Sequence, residues 1–204
     1  MDYVYERIRL PEGIKVEIVT GGGRYKGKVW REIARQIYCE NGKDGFREIG
    51  HFRTGAPFLH GNDERISISH TEGCLAVATI KTKKDSKLSE FEPETALGID
   101  VENAGRNKVL DVREKFLTED ERKLVDADST EANILAWTCK EAMLKAGMSS
   151  SIDWLRNITI TDMPTPETPG KGYILLDEMR YYFRLYTLRY GDYIITVACS
   201  EKDK

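Results

Sequence analysis

Two widely separated stretches of the chain repeat one pattern. Ile68-Ser69-His70-Thr71-Glu72-Gly73-Cys74-Leu75-Ala76-Val77-Ala78 and Leu188-Arg189-Tyr190-Gly191-Asp192-Tyr193-Ile194-Ile195-Thr196-Val197-Ala198 each run from a strand through a short glycine-containing turn into an apolar strand ending Val-Ala. Hairpins resemble one another, so the echo gains weight only from its surroundings. Val29, Trp30, Ile33, Ala34, Ile37 and Tyr38 recur at helical spacing in the first half, up to a stop at Gly42, and a longer helix is predicted from Thr130 to Ala146, ending at Gly147. Two similar α+β units are therefore expected, each a small antiparallel sheet packed with one principal helix. The polar stretch Lys81–Glu94, with Ser86, Ser89 and Pro93, is the linker candidate, which divides the chain into units 1–90 and 91–204.

Other elements fit this frame. Tyr3–Leu10 and Ile14–Thr20 read as a hairpin about Pro11-Glu12-Gly13, and Gly21-Gly22-Gly23 ends it. The second half opens on an apolar segment, 96–102, followed by a helical stretch through Phe116. Thr118-Glu119-Asp120-Glu121 reads as a capping box, in which the threonine hydroxyl and the third-residue glutamate satisfy orphan backbone N–H groups. Ile158–Thr161, Tyr173–Leu176, Arg180–Tyr190 and Tyr193–Cys199 are predicted strands, with Pro164, Pro166 and Pro169 marking a loop and Gly191-Asp192 a hairpin turn.

Charge narrows the function classes. The net charge of -3 excludes a chain that coats itself with nucleic acid. Its distribution is uneven: residues 1–90 carry 16 basic and 13 acidic side chains, net +3, and the remainder carries 15 and 21, net -6. The mixed acids and bases of the first residues argue against a secretory leader, and no apolar run approaches the roughly 18–20 residues of a membrane span, so a cytoplasmic chain with no membrane partner is expected. Cys39, Cys74, Cys139 and Cys199 lie far apart without a C-x-x-C pair, and are read as reduced, buried thiols.

Three places could carry chemistry. Asp100 and Glu102 sit two apart on one face of an otherwise apolar strand. A solvated strand face is the plain reading of such a pair, but a buried one needs a compensating cation, and a hard divalent metal is one. Trp137, Glu141 and Lys145 fall at i, i+4 and i+8 on one helix face. An ordinary Glu-to-Lys pair would contribute only about 0.2–0.5 kcal/mol there; in a partly dry site Glu141 could instead complete a three-carboxylate set, with Lys145 one turn on to neutralise a leaving phosphate. His70 closes Ile66-Ser67-Ile68-Ser69 at the lip of a turn, where Ser69, His70 and the turn amides could hold a phosphate.

Taken in order, these segments resemble the Sfp-type 4'-phosphopantetheinyl transferase family. Ile68-Ser69-His70-Thr71 matches its (I/N)-S-H-(S/T) segment, Leu97-Gly98-Ile99-Asp100-Val101-Glu102 its (I/V)-G-(I/V)-D-(I/V)-E, and Trp137-Thr138-Cys139-Lys140-Glu141-Ala142-Met143-Leu144-Lys145 its W-(S/T/C)-x-K-E-(A/S)-x-x-K. Phe116-Leu117-Thr118-Glu119-Asp120-Glu121 resembles the aromatic-plus-acidic helix start between the last two. The resemblance implies a pseudodimer of two similar subdomains, active as a monomer, that moves the phosphopantetheine arm of coenzyme A to a serine of an acyl or peptidyl carrier protein, releasing 3',5'-ADP with magnesium as cofactor. By position it implies Asp100, Glu102 and Glu141 as metal ligands. It implies Glu141, Lys145 and Glu121 as catalytic groups, and Ser69, His70, Lys140 and Lys145 as contacts to coenzyme A. One departure stands out: the family's G-K-P or G-R-P is Gly55-Ala56-Pro57 here, and Arg53, Lys26, Lys28 or Arg31 could replace the missing basic contact. Two rivals remain open: a non-catalytic coenzyme A or carrier-protein binding module of the same fold, and a magnesium-dependent nucleotide phosphohydrolase.

Overall fold

A computed structural model describes residues 3–21, 29, 32–34, 49–60, 63–82, 95–147 and 152–201. The chain is α+β, with two antiparallel sheets. The first contains β1 (Tyr3–Arg9), β2 (Lys15–Gly21), β3 (Ile49–His51), β4 (Pro57–Leu59), β5 (Glu64–Thr71) and β6 (Cys74–Lys81), in the order β1-β2-β6-β5-β4-β3. The second contains β7 (Leu97–Asn103), β8 (Ile158–Asp162), β9 (Gly170–Leu176), β10 (Met179–Tyr190) and β11 (Tyr193–Ser200), in the order β7-β11-β10-β9-β8. The expected hairpins form: β1 pairs β2, β5 pairs β6 and β10 pairs β11, all antiparallel. Both echo segments are therefore hairpins, and each lies within a different sheet.

Alternation along the strands decides what packs where. On β6, Cys74, Ala76 and Ala78 face the second sheet, where they meet Leu97, Ile99 and Val197 in a shared core, while Leu75 and Val77 turn to the opposite face with Ile66 and Leu59. Ile33 and Ala34, in helical backbone, cover that opposite face. On the far side of the second sheet lies the long helix, with Ala136, Cys139, Ala142, Met143 and Ala146 buried against Phe183, Leu185 and Ile174. Each fully buried Leu or Ile in these layers contributes about 1.5–3 kcal/mol relative to exposure.

Four helices follow β7 in the described chain. The predicted stretch through Phe116 is broken into α1 (Lys108–Asp111) and a 3-10 turn at Arg113–Lys115, because within these two elements only Val109 is buried and no extended apolar stripe holds a longer helix together. α2 (Glu119–Arg122) carries the expected capping box, with both reciprocal bonds between Thr118 and Glu121. α3 (Thr130–Gly147) is the long helix, ending where its glycine was expected. The short α4 (Trp154–Asn157), capped by Asp153, was not anticipated from the sequence, and neither were β3 and β4. The continuation of the first-half helix to Tyr38 and Gly42, the triple glycine beyond Gly21, Cys39, most of the linker and the boundary after Glu90 lie outside the described residues.

Candidate active site

β7 is the outer strand of its sheet, so one row of its backbone N–H groups has no strand to pair with. Two serines of β5 supply the acceptors: Ile99 N–H donates to Ser67 Oγ at 3.0 Å and Val101 N–H to Ser69 Oγ at 3.4 Å. The alternation Ile66-Ser67-Ile68-Ser69 thereby acquires a reason. Its isoleucines face the first-half core and its hydroxyls stitch β5 to β7 across the junction of the two sheets.

That junction aligns the side chains. On β7, Leu97, Ile99 and Val101 point into the inter-sheet core, so Asp100 and Glu102 share the other face with Gly98. Gly98 allows α3 to lie directly on this face, since a Cβ there would overlap the Ala142 carbonyl and stand 2.7 Å from Ala146 N. Lys145 therefore reaches the strand: its ammonium donates to Asp100 Oδ1 at 2.7 Å, Ser69 Oγ at 2.9 Å and the Ile99 carbonyl at 3.1 Å. Ser69 in turn donates to Asp100 Oδ1 at 2.7 Å. Ser69, His70, Asp100, Glu102, Glu141 and Lys145 all line one open cavity of about 360 Å³, with Trp137 as a further wall. A second cavity, of about 410 Å³, shares Ile68 and Lys145 with the first and runs past Gly55-Ala56-Pro57.

The electrostatics follow from crowding three carboxylates into a half-buried space. Burial pushes the Glu141 carboxyl above its usual range; the Asp100 and Glu102 charges add to the rise, while Lys145 opposes it. Burial likewise raises Glu102, with Arg106 pulling it down and Asp100 pushing it up. Glu102 is held by the Arg106 guanidinium at 2.5 Å and by the Thr71 hydroxyl at 3.2 Å. The sequence reading missed both partners. Thr71 shares the strand parity of Ser69, and Arg106 lies four residues beyond Glu102, so each left a trace in the spacing.

Two expected site residues lie elsewhere. Lys140, read as a contact to coenzyme A, is fully buried in the core, where its ammonium donates to Glu121 Oε2 at 2.9 Å, the Ile158 carbonyl at 2.6 Å and the Trp154 carbonyl at 3.1 Å. Glu121, read as a catalytic group, is its buried partner. The Glu121 carboxylate also accepts from Ile160 N–H at 2.7 Å and, in the capping box, from Thr118 N–H at 2.8 Å. With their hydrogen-bonding capacity taken up inside the fold, these two residues tie α2 and α3 to β8. The structure gives them a positioning place and not one at the cavity. His70 is exposed at the cavity rim. Of the basic residues offered in place of the missing contact at Ala56, Arg53 is described and exposed, while Lys26, Lys28 and Arg31 are outside the described residues.

Among the described residues, no three His, Cys, Asp or Glu side chains are close enough to cage an ion by themselves. Magnesium does not need such a cage: it is a hard cation that takes one or two carboxylates and completes its shell with water and substrate phosphate. The donors present are all hard oxygens, and among the described residues Asp100 Oδ2 is buried with no hydrogen-bond partner, a costly state for a carboxylate that a cation would relieve. On that observation the residues fit the ion.

The junction of this two-sheet α+β fold thus gathers acids from one strand, an acid and a lysine from the helix above it and a serine from the neighbouring sheet. The family model of the 4'-phosphopantetheinyl transferase superfamily matches residues 96–198, just over half of the chain, and the chain belongs to that superfamily. The matched span runs from β7 to β11 and contains Asp100, Glu102, Glu141 and Lys145, while Ser69, His70 and Gly55-Ala56-Pro57 precede it. No curated protein matches the sequence. Membership makes the chain a phosphopantetheinyl transferase in the broad sense of its superfamily. None of its described helices is long and apolar enough to cross a membrane.

Proposed function

We propose that the chain is an Sfp-type enzyme that transfers the 4'-phosphopantetheine group of coenzyme A to a serine of an acyl or peptidyl carrier protein, releasing 3',5'-ADP, in a magnesium-dependent reaction. The observation that carries this reading is the convergence of Asp100, Glu102, Glu141, Lys145 and Ser69 on one cavity that adjoins a second, larger one. Two adjoining cavities sharing Lys145 suit a long ligand with a diphosphate at its middle. The arrangement of two sheets face to face, each with its own hairpin echo and helical cover, supports two similar subdomains, 1–90 and 91–204, with the site at their junction and a monomer as the active form.

Asp100, Glu102 and Glu141 are the residues that would hold magnesium, which when bound supplies Lewis-acid masking of diphosphate charge. Lys145, on the face of α3 that looks into the cavity, is placed to donate hydrogen bonds to the leaving phosphate. Transfer needs the serine oxygen to bond to the phosphorus that carries pantetheine, the bond from that phosphorus to the 3',5'-ADP oxygen to break, and the hydroxyl proton to leave. That proton passes to water at the open side of the cavity, while Glu141 serves the reaction through the ion it would help to hold. Trp137 walls the cavity and restricts water on one side. Ser69 holds Lys145 and Asp100 in register and, with His70 at the rim, lies where a phosphate of coenzyme A can be met.

Incubation with coenzyme A, magnesium and an apo carrier protein should raise the mass of the carrier by one phosphopantetheine. No mass change across several carriers would sink the proposal. Tight coenzyme A binding without turnover would point to a binding module of the same fold, and 3',5'-ADP release without any acceptor to a hydrolase.

A further inference from the structure

Lys145 spends all its donors inside the protein. A lysine ammonium has three N–H bonds, and here they reach Asp100, Ser69 and the Ile99 carbonyl. It cannot touch a phosphate without releasing at least one of them. Glu102 is similarly occupied, with Arg106 on Oε1 and Thr71 on Oε2. Two of the three carboxylates that face the cavity thus already hold a basic side chain each. The pairs differ in setting: the Asp100 side chain is 7% exposed beneath Lys145, whereas Arg106 is half exposed and its guanidinium can swing into water.

We propose that Lys145 and Arg106 are resident cations, which neutralise Asp100 and Glu102 in the metal-free chain and yield those carboxylates when a divalent ion and a diphosphate enter together. The inference rests on the transferase reading of the same site and adds the role of Arg106 and the interdependence of the two ligands. A divalent ion arriving alone at Asp100 Oδ2 shares the carboxylate with the Lys145 ammonium on Oδ1, so the two cations repel and the ammonium needs another anionic partner. A diphosphate supplies that partner, so each ligand strengthens the binding of the other, and the coupling is reciprocal by linkage. Arg106 needs no such partner, which makes its contribution to the coupling the smaller.

The test measures Mn²⁺ binding to the full chain by electron paramagnetic resonance, first alone and then with coenzyme A present. The wild type should bind Mn²⁺ weakly alone and more tightly with coenzyme A. Lys145→Met, which removes a competitor from a nearly buried carboxylate, should bind Mn²⁺ alone about tenfold more tightly and lose most of the gain from coenzyme A. Arg106→Gln should tighten Mn²⁺ binding only a few-fold, as expected of a half-exposed pair. Circular dichroism reports whether Lys145→Met folds; if it does not, Arg106→Gln still decides. Variants that bind Mn²⁺ no more tightly than the wild type overturn the inference, even where a carrier protein is modified normally. The expected shifts without carrier modification support it and instead overturn the transferase reading.

Discussion

Lys140 Nζ lies 2.8 Å from Glu121 Oε1, and neither side chain exposes more than 2% of its surface. Burial drives the lysine pKa down while the glutamate holds it up, and the two backbone carbonyls of Trp154 and Ile158 complete the ammonium's shell. Removing one member of such a pair leaves an uncompensated buried charge, at a cost of about 3–5 kcal/mol. Lys140→Met and Glu121→Gln should each lower the urea midpoint of unfolding accordingly, and Glu121→Gln should keep transfer activity per folded molecule at low temperature. A Glu121→Gln protein as stable as the wild type yet inactive would return Glu121 to the chemistry.

This pair also marks where the sequence was legible and where it was not. Lys140 and Lys145 stand in one motif on one helix, but five residues at about 100° each place them roughly 140° apart around the axis. Helical periodicity alone separates them: Trp137, Glu141 and Lys145 share the cavity face, and Lys140 turns to the core. Grouping both lysines as coenzyme A contacts followed the motif and overrode the period. The parity of Asp100 and Glu102, the hairpins and the capping box were readable because each is a pattern of residues close together in the chain. The bond from Ser69 to Asp100 spans 31 residues and depends on how the outer strand β7 meets β5, which no local pattern encodes. The short strands β3 and β4 and the single turn of α4 fell below the length at which periodicity speaks.

Gly98 sets the separation of α3 from β7. An added Cβ would meet backbone atoms of Ala142 and Ala146, which no rotamer change can relieve. Gly98→Ala should therefore push the helix off the strand, lowering stability by about 1–3 kcal/mol as overpacking does. The same displacement separates Lys145 from Asp100, and because a shift near 1 Å can cost on the order of 100-fold in rate, kcat should fall far more than the stability loss alone explains. Wild-type turnover in a folded Gly98→Ala protein would show that the close approach is not required.

Burial pushes the thiols of Cys74 and Cys139 up to about 12. At pH 8 such a thiol is ionised to roughly one part in 10⁴, and the thiolate is the reacting form. Mass mapping after maleimide treatment of the native chain at pH 8 should find both residues unmodified, with rapid labelling after denaturation in guanidinium. Native-state labelling of Cys139 would mean that the core between α3 and the second sheet opens readily.

Asp100 is the residue on which the proposed site depends most, because it touches both Ser69 and Lys145 and carries a buried oxygen with no partner among the described residues. Asp100→Asn keeps the shape and removes the charge, so Lys145 loses its counterion and a cation loses its most buried ligand. Transfer should fall at least about 100-fold, the scale seen when a preorganised charge-stabilising group is lost. Stability should drop only modestly, since an amide still accepts a hydrogen bond from Ser69 or Lys145. Glu141→Gln should reduce kcat on a similar scale while leaving the hydrogen bonds of Lys145 in place, because Glu141 makes none of them. Chelation of divalent ions with EDTA should abolish transfer by the wild type, and added magnesium should restore it. Full activity in Asp100→Asn, or in the chelated wild type, would refute the assignment of these carboxylates to a metal-dependent step.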